Sequence, residues 1–302
     1  MRLITRSDFD GLVCAVLLKE AGIIESYKFV HPKDVQDGKV EATEDDVLAN
    51  IPYIPGCGLW FDHHMSEDER LKFNCQFKGE SRWEKSCARV IYDYYGGAAK
   101  FPGIEEMMIA VDKTDSGDLT VDEVLNPQGW ILLSFMMDPR TGLGRYKDYR
   151  ISNYQLMEEL IEMCRTMKIA EILANPDVKE RMVRYAEQEA QYKKMIQENS
   201  TVDDKVLIID LRNIEEIVTG NRFVEYSLYP DVLTSVRIMW GLNKQNTVFA
   251  VGHSIINRGS KVNVGSLMLK NGGGGHFQVG TCQVENQNVE KALQDVVTKL
   301  NS

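Results

Sequence analysis

Nowhere in the 302 residues does an apolar run approach the roughly eighteen needed to cross a membrane, so no transmembrane span is expected. The first residues, Met1-Arg2-Leu3-Ile4-Thr5-Arg6, pass from a short apolar stretch straight into polar ones. The apolar core and cleavage site of a secretory signal are missing, and a cytoplasmic location is the default expectation. Cysteine is scarce and scattered. The six residues Cys14, Cys57, Cys75, Cys87, Cys164 and Cys282 lack the close pairing of a zinc site or a small disulfide scaffold, so reduced thiols are expected. Positive charge is in deficit: 35 Lys and Arg stand against 45 Asp and Glu, a formal net charge of -10. That balance argues against a protein that tracks long nucleic acid, because such affinity comes mostly from neutralising phosphates. Small anions are not excluded, since they need only a local positive site made of a few Arg side chains, backbone N–H groups or metal ions. No repeat of fixed period and no compositionally biased segment is visible.

What is present suits two ordinary globular domains, with 43% hydrophobic residues spread along the chain. Leu3-Ile4-Thr5 reads as a strand and Gly11 to Ala21 as an apolar helix closed by Gly22, which puts Asp8 and Asp10 in a strand-to-helix loop. Tyr27 to Val30 and Gly58 to Phe61 read as further strands, and Ser86 to Tyr95 as a helix stopped by Gly96-Gly97. The fold class expected is α/β, with an N-terminal, mostly parallel sheet flanked by helices. From Tyr154 to Asn199 the pattern is helical, with one break at Asn175-Pro176. Lys205 to Leu211, Ser235 to Trp240 and Thr247 to Gly252 then read as strands and Asn288 to Leu300 as a closing helix, a smaller α/β domain with a mixed sheet.

Asp8 and Asp10, one residue apart, set two hard oxygen donors side by side, a donor type suited to magnesium or manganese; a helix cap or a solvated loop is the plainer alternative. Asp62-His63-His64 closes an apolar strand. One imidazole there can bind a metal while a carboxylate holds the other ring nitrogen, or the pair can simply cap the next segment. Asp112, Asp115 and Asp118 recur every third residue, and the residues alone do not choose between a metal ligand and an ordinary turn. Four glycines, Gly272 to Gly275, run into His276. They disfavour regular structure and leave N–H groups open to an anion, a phosphate cradle or else a flexible turn. Arg258 offers a guanidinium that can grip a phosphate bidentately. The segment Met137-Asp138-Pro139-Arg140-Thr141-Gly142 marks either another anion contact or a turn. Of the five histidines, His253 lies on the strand leading to Arg258, and only His31 stands apart as an ordinary polar residue.

The order of Asp8-Phe9-Asp10, Phe61-Asp62-His63-His64 and Gly272-Gly273-Gly274-Gly275-His276 resembles the DHH phosphoesterase family. The subgroup it resembles contains exopolyphosphatase-like proteins, oligoribonucleases that clear very short RNA, and phosphatases of 3′-phosphoadenosine 5′-phosphate. The resemblance spans nearly the whole chain. It implies a DHH domain over residues 1–153, a helical linker over 154–200 and a DHH-associated, substrate-binding domain over 201–302. It further implies that Asp8 and Asp10 bind two different divalent ions, Mn2+ or Mg2+, with His63 and Asp115 completing the second site. Asp62 and His64 would be catalytic, orienting ligands or the substrate phosphate. Arg258, Gly273, Gly274, Gly275 and His276 would grip the substrate across an interdomain cleft.

Two positions depart from the family pattern. Its first motif usually carries a His two or four residues before the first Asp, where this chain has Arg6 and Ile4, and a bridging Asp is replaced by Asn50. Arg6 would either hold a substrate phosphate or pair with the aspartates, and the centre would hold one ion rather than two if the first site is lost. The expected function is metal-dependent hydrolysis of a phosphoester or phosphoanhydride bond in a small phosphate-containing substrate: a short oligoribonucleotide, a phosphorylated nucleotide or polyphosphate. The alternative is a nucleotide- or phosphate-sensing module with a degenerate metal site. A homodimer is the partner expected besides substrate.

Overall fold

The computed structural model describes residues 1–64 and 76–302, so Cys75 lies outside it; the other five cysteines are free thiols. The chain forms two compact units, Met1–Leu119 with Asn126–Ala186, and Thr120–Leu125 with Glu187–Ser302. Among the described residues no helix is long and apolar enough to cross a membrane.

The first unit is built on five parallel strands: β1 (Arg2–Arg6), β2 (Ser26–Val30), β3 (Asp46–Ala49), β4 (Leu59–Asp62) and β5 (Gly79–Ser81), in the spatial order β2-β1-β3-β4-β5. Alternation along each strand divides the apolar side chains between two faces. Leu3, Val47, Ala49 and Phe61 point into the larger core, whereas Ile4, Leu48 and Trp60 point into a smaller one with Val35, Val40 and Ile51. The Trp60 indole N–H donates to the Ile51 carbonyl at 3.0 Å, which satisfies its polar edge inside that core. Burial on both faces is why these strands read as short continuous apolar runs.

Helix α1 (Phe9–Glu20) is buried on nearly every side, as its continuous apolar sequence requires. Next in order come α2 (Pro32–Gln36), α3 (Cys87–Tyr94), α4 (Glu105–Ser116), α5 (Val121–Leu125), α6 (Gly129–Met137), α7 (Asn153–Thr166), α8 (Ile169–Ala174) and α9 (Pro176–Glu198). His31 caps α2 by accepting from the Lys33 N–H at 3.1 Å, an ordinary structural role. The helical break expected at Asn175-Pro176 falls between α8 and α9, and Pro176 opens α9, where its missing N–H costs nothing.

The second unit carries a mixed sheet, order β10-β11-β9-β8-β7-β6, made of β6 (Ser200–Asp203), β7 (Val206–Asp210), β8 (Thr234–Trp240), β9 (Thr247–His253), β10 (Gly274–Gly275) and β11 (Val279–Val284). Only β7 and β8 pair in parallel. This unit also takes in α5 and the end of α9 and carries α10 (Val224–Leu228), α11 (Val264–Lys270) and α12 (Val289–Leu300), and Val264, Met268, Val296 and Leu300 from α11 and α12 pack with Phe249 and Val251 of β9.

Candidate active site

In a parallel sheet the residues that follow each strand gather at its carboxyl edge. Three such junctions meet here: Asp8 after β1, Asn50 after β3, and His63-His64 after β4. The turn from β1 into α1 is tight, and a Cβ on Gly11 would lie 2.0 Å from the Arg6 carbonyl oxygen, so only glycine fits. This turn corrects the loop expected for both aspartates. Asp8 is the N-cap of α1, accepting from the Gly11 N–H at 3.0 Å, while Asp10 already lies in the helix's first turn. Their carboxylates therefore belong to different surroundings.

Asp10 is buried, and its oxygens accept from the Cys87 N–H at 2.9 Å and the Ala88 N–H at 2.8 Å, both in the first turn of α3. Burial pushes the Asp10 carboxyl well above the ordinary carboxylate range; the charges of Asp115 and Asp8 push the same way, against the two N–H groups. Facing it is His63, whose Nδ1 lies 3.1 Å from the Glu84 carbonyl oxygen. That contact places a proton on Nδ1, so in the neutral ring Nε2 is the nitrogen that offers a lone pair. Nε2 is buried with no hydrogen-bond partner, and it sits 3.2 Å from a carboxylate oxygen of Asp115 and 3.8 Å from one of Asp10. Ligand atoms of Asp10, His63 and Asp115 lie within 4.8 Å of one another. Two carboxyl groups and an imidazole nitrogen converge on one point, and one N with two O donors is a set that divalent transition ions accept.

The choice among Asp112, Asp115 and Asp118 is decided by helix geometry, because the stretch expected as a turn is the end of α4. Asp112 is occupied by Arg89, with contacts of 3.0 and 2.7 Å, and by the Ser86 hydroxyl at 2.7 Å. Asp118 pairs with Lys85 at 3.0 Å, beyond the helix end. Asp115 alone of the three faces His63.

Asp62 holds His64 through Nδ1 at 2.8 Å. Burial works against protonation of His64, but the Asp62 charge and hydrogen bond outweigh it, and Asp115 and Asp10 add to them, lifting the imidazole to about 9. His64 is thus a cation at neutral pH beside the acidic cluster, with its ring centroid 4.2 Å from that of His63.

Asp8 stands apart from the metal-type cluster. Its Oδ1 accepts from Gly11 N and, at 3.2 Å, from the Asn50 side-chain amide, and its Oδ2 pairs with Arg6 Nε at 2.9 Å. Of the two roles open to Arg6, the ion pair with Asp8 is therefore formed, whereas the structure gives no such pair with Asp10. A small pocket opens over these groups, lined by Asp8, Asp10, Thr114, Asp115, Ser134, Asp138 and Arg140. Arg140 is anchored on Asp138, 2.7 Å from its Oδ1. Ser134, Thr114 and the supporting amides of α3 carried no motif of their own; Ser86, the α3 cap, was the only local signal.

The remaining candidates lie in the second unit. The glycine run is not an open cradle: the N–H groups of Gly272, Gly273 and His276 donate to the carbonyls of Leu269, Met268 and Val279, and Gly274-Gly275 forms β10 against β11. Crowding explains two of the glycines, since a Cβ on Gly273 would meet Thr281 O at 1.9 Å and one on Gly275 would meet Val279 O at 2.2 Å. A Cβ on Gly274 would meet nothing within 4 Å. Arg258 is exposed, its Nε donating to Ile255 O at 3.1 Å. His253 belongs to the packing, with Nε2 2.9 Å from Val262 O and burial lowering its pKa.

A parallel sheet that presents Asp-His-His at the end of one strand, against an aspartate just after another, defines a class of phosphoester hydrolase. The chain belongs to the DHH phosphoesterase family. It is 48% identical to the pGpG-specific phosphodiesterase PggH of Vibrio cholerae, over 99% of this chain and 98% of that one, with a TM-score of 0.82. An exopolyphosphatase-related protein from Bacteroides fragilis shares the fold at 13% identity, over 99% and 91% of the two chains, with a TM-score of 0.53. No protein-family model and no curated protein sequence matches the chain.

Proposed function

We propose that this chain is a divalent-metal-dependent phosphodiesterase that cleaves short linear dinucleotides, pGpG foremost, into mononucleotides. The observation that carries the reading is His63 Nε2, buried without a hydrogen bond and facing the carboxylates of Asp10 and Asp115. The near-complete alignment with a pGpG-specific phosphodiesterase supports the choice of substrate. Asp10, His63 and Asp115 would hold Mn2+ or Mg2+. Such an ion, when bound, supplies positive charge to a phosphoryl oxygen and makes bound water more acidic.

The rest of the chemistry belongs to the protein. Hydrolysis forms one P–O bond from water and breaks the P–O bond to the leaving ribose oxygen; water gives up a proton and the leaving oxygen takes one. The negative charge that builds on the phosphoryl oxygens is met by cations already in place. His64, fixed by Asp62, is one of them. Arg140, fixed by Asp138 in the same pocket, is a second and was only weakly signalled in the sequence. In the second unit, which we assign to substrate binding, Arg258 and His276 would take a phosphate or base edge, with Gly274 leaving room for close approach.

Purified protein is expected to release GMP from pGpG with Mn2+ or Mg2+ and to lose that activity with a chelator, as followed by chromatography of the products. Absence of GMP release with either ion would overturn the reading.

A further inference from the structure

The surroundings of Asp8 decide how many ions the centre takes. A carboxylate that serves as a metal ligand must offer a lone pair toward the ion. Here Oδ1 is taken by two N–H donors, Gly11 at 3.0 Å and Asn50 at 3.2 Å, and Oδ2 is paired with the Arg6 guanidinium at 2.9 Å, so the acceptor site left on this carboxylate lies beside a permanent positive charge. Asp8 and Asn50 are buried, 5% and 3% exposed, and the Arg6 side chain that reaches them is half-buried. Asn50 occupies the left-handed region, with φ of 56°, a conformation Asn tolerates better than most residues. Its backbone N–H is tied to Phe61 O and faces Cys87 Sγ, each at 3.2 Å, so the side-chain amide is delivered to Asp8 by a fixed backbone. An ionised carboxylate only accepts, so the amide must turn its NH2 group toward Asp8. A divalent ion placed beside Asp8 would then confront a permanent guanidinium charge and the positive end of an amide dipole.

We infer that the centre holds a single divalent ion, on Asp10, His63 and Asp115, and that Arg6, pinned by Asp8, is a built-in cation where a second ion would otherwise bind. The inference rests on the phosphodiesterase reading and deepens it. Asp8 and Asn50 become positioning residues that fix a guanidinium beside the centre instead of sharing a metal. The chain's deviations from the family pattern at positions 6 and 50 thereby form one substitution: the amide at 50 donates to the same carboxylate that the guanidinium pairs with, where a second acidic group at 50 would repel it.

The test is a metal count on the full chain. Protein stripped with chelator is dialysed against MnCl2 and analysed by inductively coupled plasma mass spectrometry, with electron paramagnetic resonance on the same samples. One Mn2+ per chain with the spectrum of an isolated ion is expected. Asp8→Asn should still bind one ion, whereas Asp10→Asn should weaken binding by more than ~100-fold, beyond what loss of a supporting group costs. Arg6→Gln should keep the count at one while kcat for pGpG falls about 100-fold, the scale for removing a charge-stabilising donor. The double change Arg6→His with Asn50→Asp should raise the count to two.

Two Mn2+ per wild-type chain, or an exchange-coupled spectrum, would overturn the inference, and so would loss of the ion from Asp8→Asn. The wild-type count decides by itself, so a double variant that misfolds does not shield it. Failure of the functional reading looks different: one ion bound but no GMP released sinks the substrate assignment and leaves the one-ion centre standing.

Discussion

At the scale of single residues, what matters is where each lone pair and each proton ends up. Asp8 and Asp10 look equivalent in the sequence, yet one is paired with the Arg6 guanidinium and the Asn50 amide, and the other, held by the first N–H groups of α3, faces His63. The same logic runs through Asp46, at the start of β3. It is 2% exposed and accepts from Arg2 at 2.7 and 3.1 Å and from the Thr43 N–H at 2.8 Å. Burial alone would raise its pKa, but the Arg2 hydrogen bond and the Thr43 donors outweigh it and hold the carboxyl below its ordinary value. A depressed folded pKa means the stabilisation is present above the unfolded value and lost as pH falls through the folded one. Asp46→Asn is expected to destabilise the protein by about 1–3 kcal/mol at pH 7, the range for a hydrogen bond to a charged group. The gap to wild type should close as pH falls below about 4, the unperturbed aspartate value. Thermal denaturation of both proteins at pH 7 and pH 3 checks this; a gap as large at pH 3 as at pH 7 would contradict it.

At the scale of elements, the C-terminal hairpin separates packing from function within one run of glycines. Gly273 and Gly275 are forced by β11, whose carbonyl oxygens lie where their Cβ atoms would be, whereas Gly274 has open space beside it. Gly273→Ala should therefore cost about 1–3 kcal/mol through overpacking and show it as a lowered Tm. Gly274→Ala should fold with wild-type stability, within ~0.5 kcal/mol as for an uncrowded surface change, and raise KM for pGpG. If Gly274→Ala leaves KM unchanged, Gly274 has no part in binding. The helices tell a related story. Turn-forming composition left an ordinary turn open as one reading of Asp112 to Asp118, but apolar packing of Met107, Met108, Ala110 and Val111 extends α4 through Ser116. Tertiary burial overrides local turn preference there.

For the whole molecule, a formal charge of -10 sets the company it keeps. Long polyanions are repelled by the general field, while a dinucleotide has only to satisfy the few cations of the pocket. kcat/KM for pGpG is expected to exceed that for a twenty-nucleotide RNA, and to change little between 50 and 200 mM salt. A protein that tracks nucleic acid loses roughly three or more orders of magnitude in affinity over that range. Initial-rate measurements on both substrates at the two salt concentrations decide it, and a steep salt-dependent loss with the long RNA as the better substrate would refute it.

The α/β class, the strands β1, β2, β4, β7, β8 and β9, and the family were legible in the sequence, because apolar periodicity and short motifs are local properties of the chain. So were Asp10, His63 and the oddity of Arg6 and Asn50. The resemblance pointed to Asp115, but three things came only with the tertiary structure: the facing of Asp115 and His63, that Arg140 shares the pocket, and that the Asn50 amide joins Gly11 and Arg6 on Asp8. Each depends on the direction of a side chain relative to residues tens of positions away, such as Asn50 relative to Asp8. The sheet sets that direction when it brings the ends of β1, β3 and β4 to one edge, and no spacing along the chain encodes it.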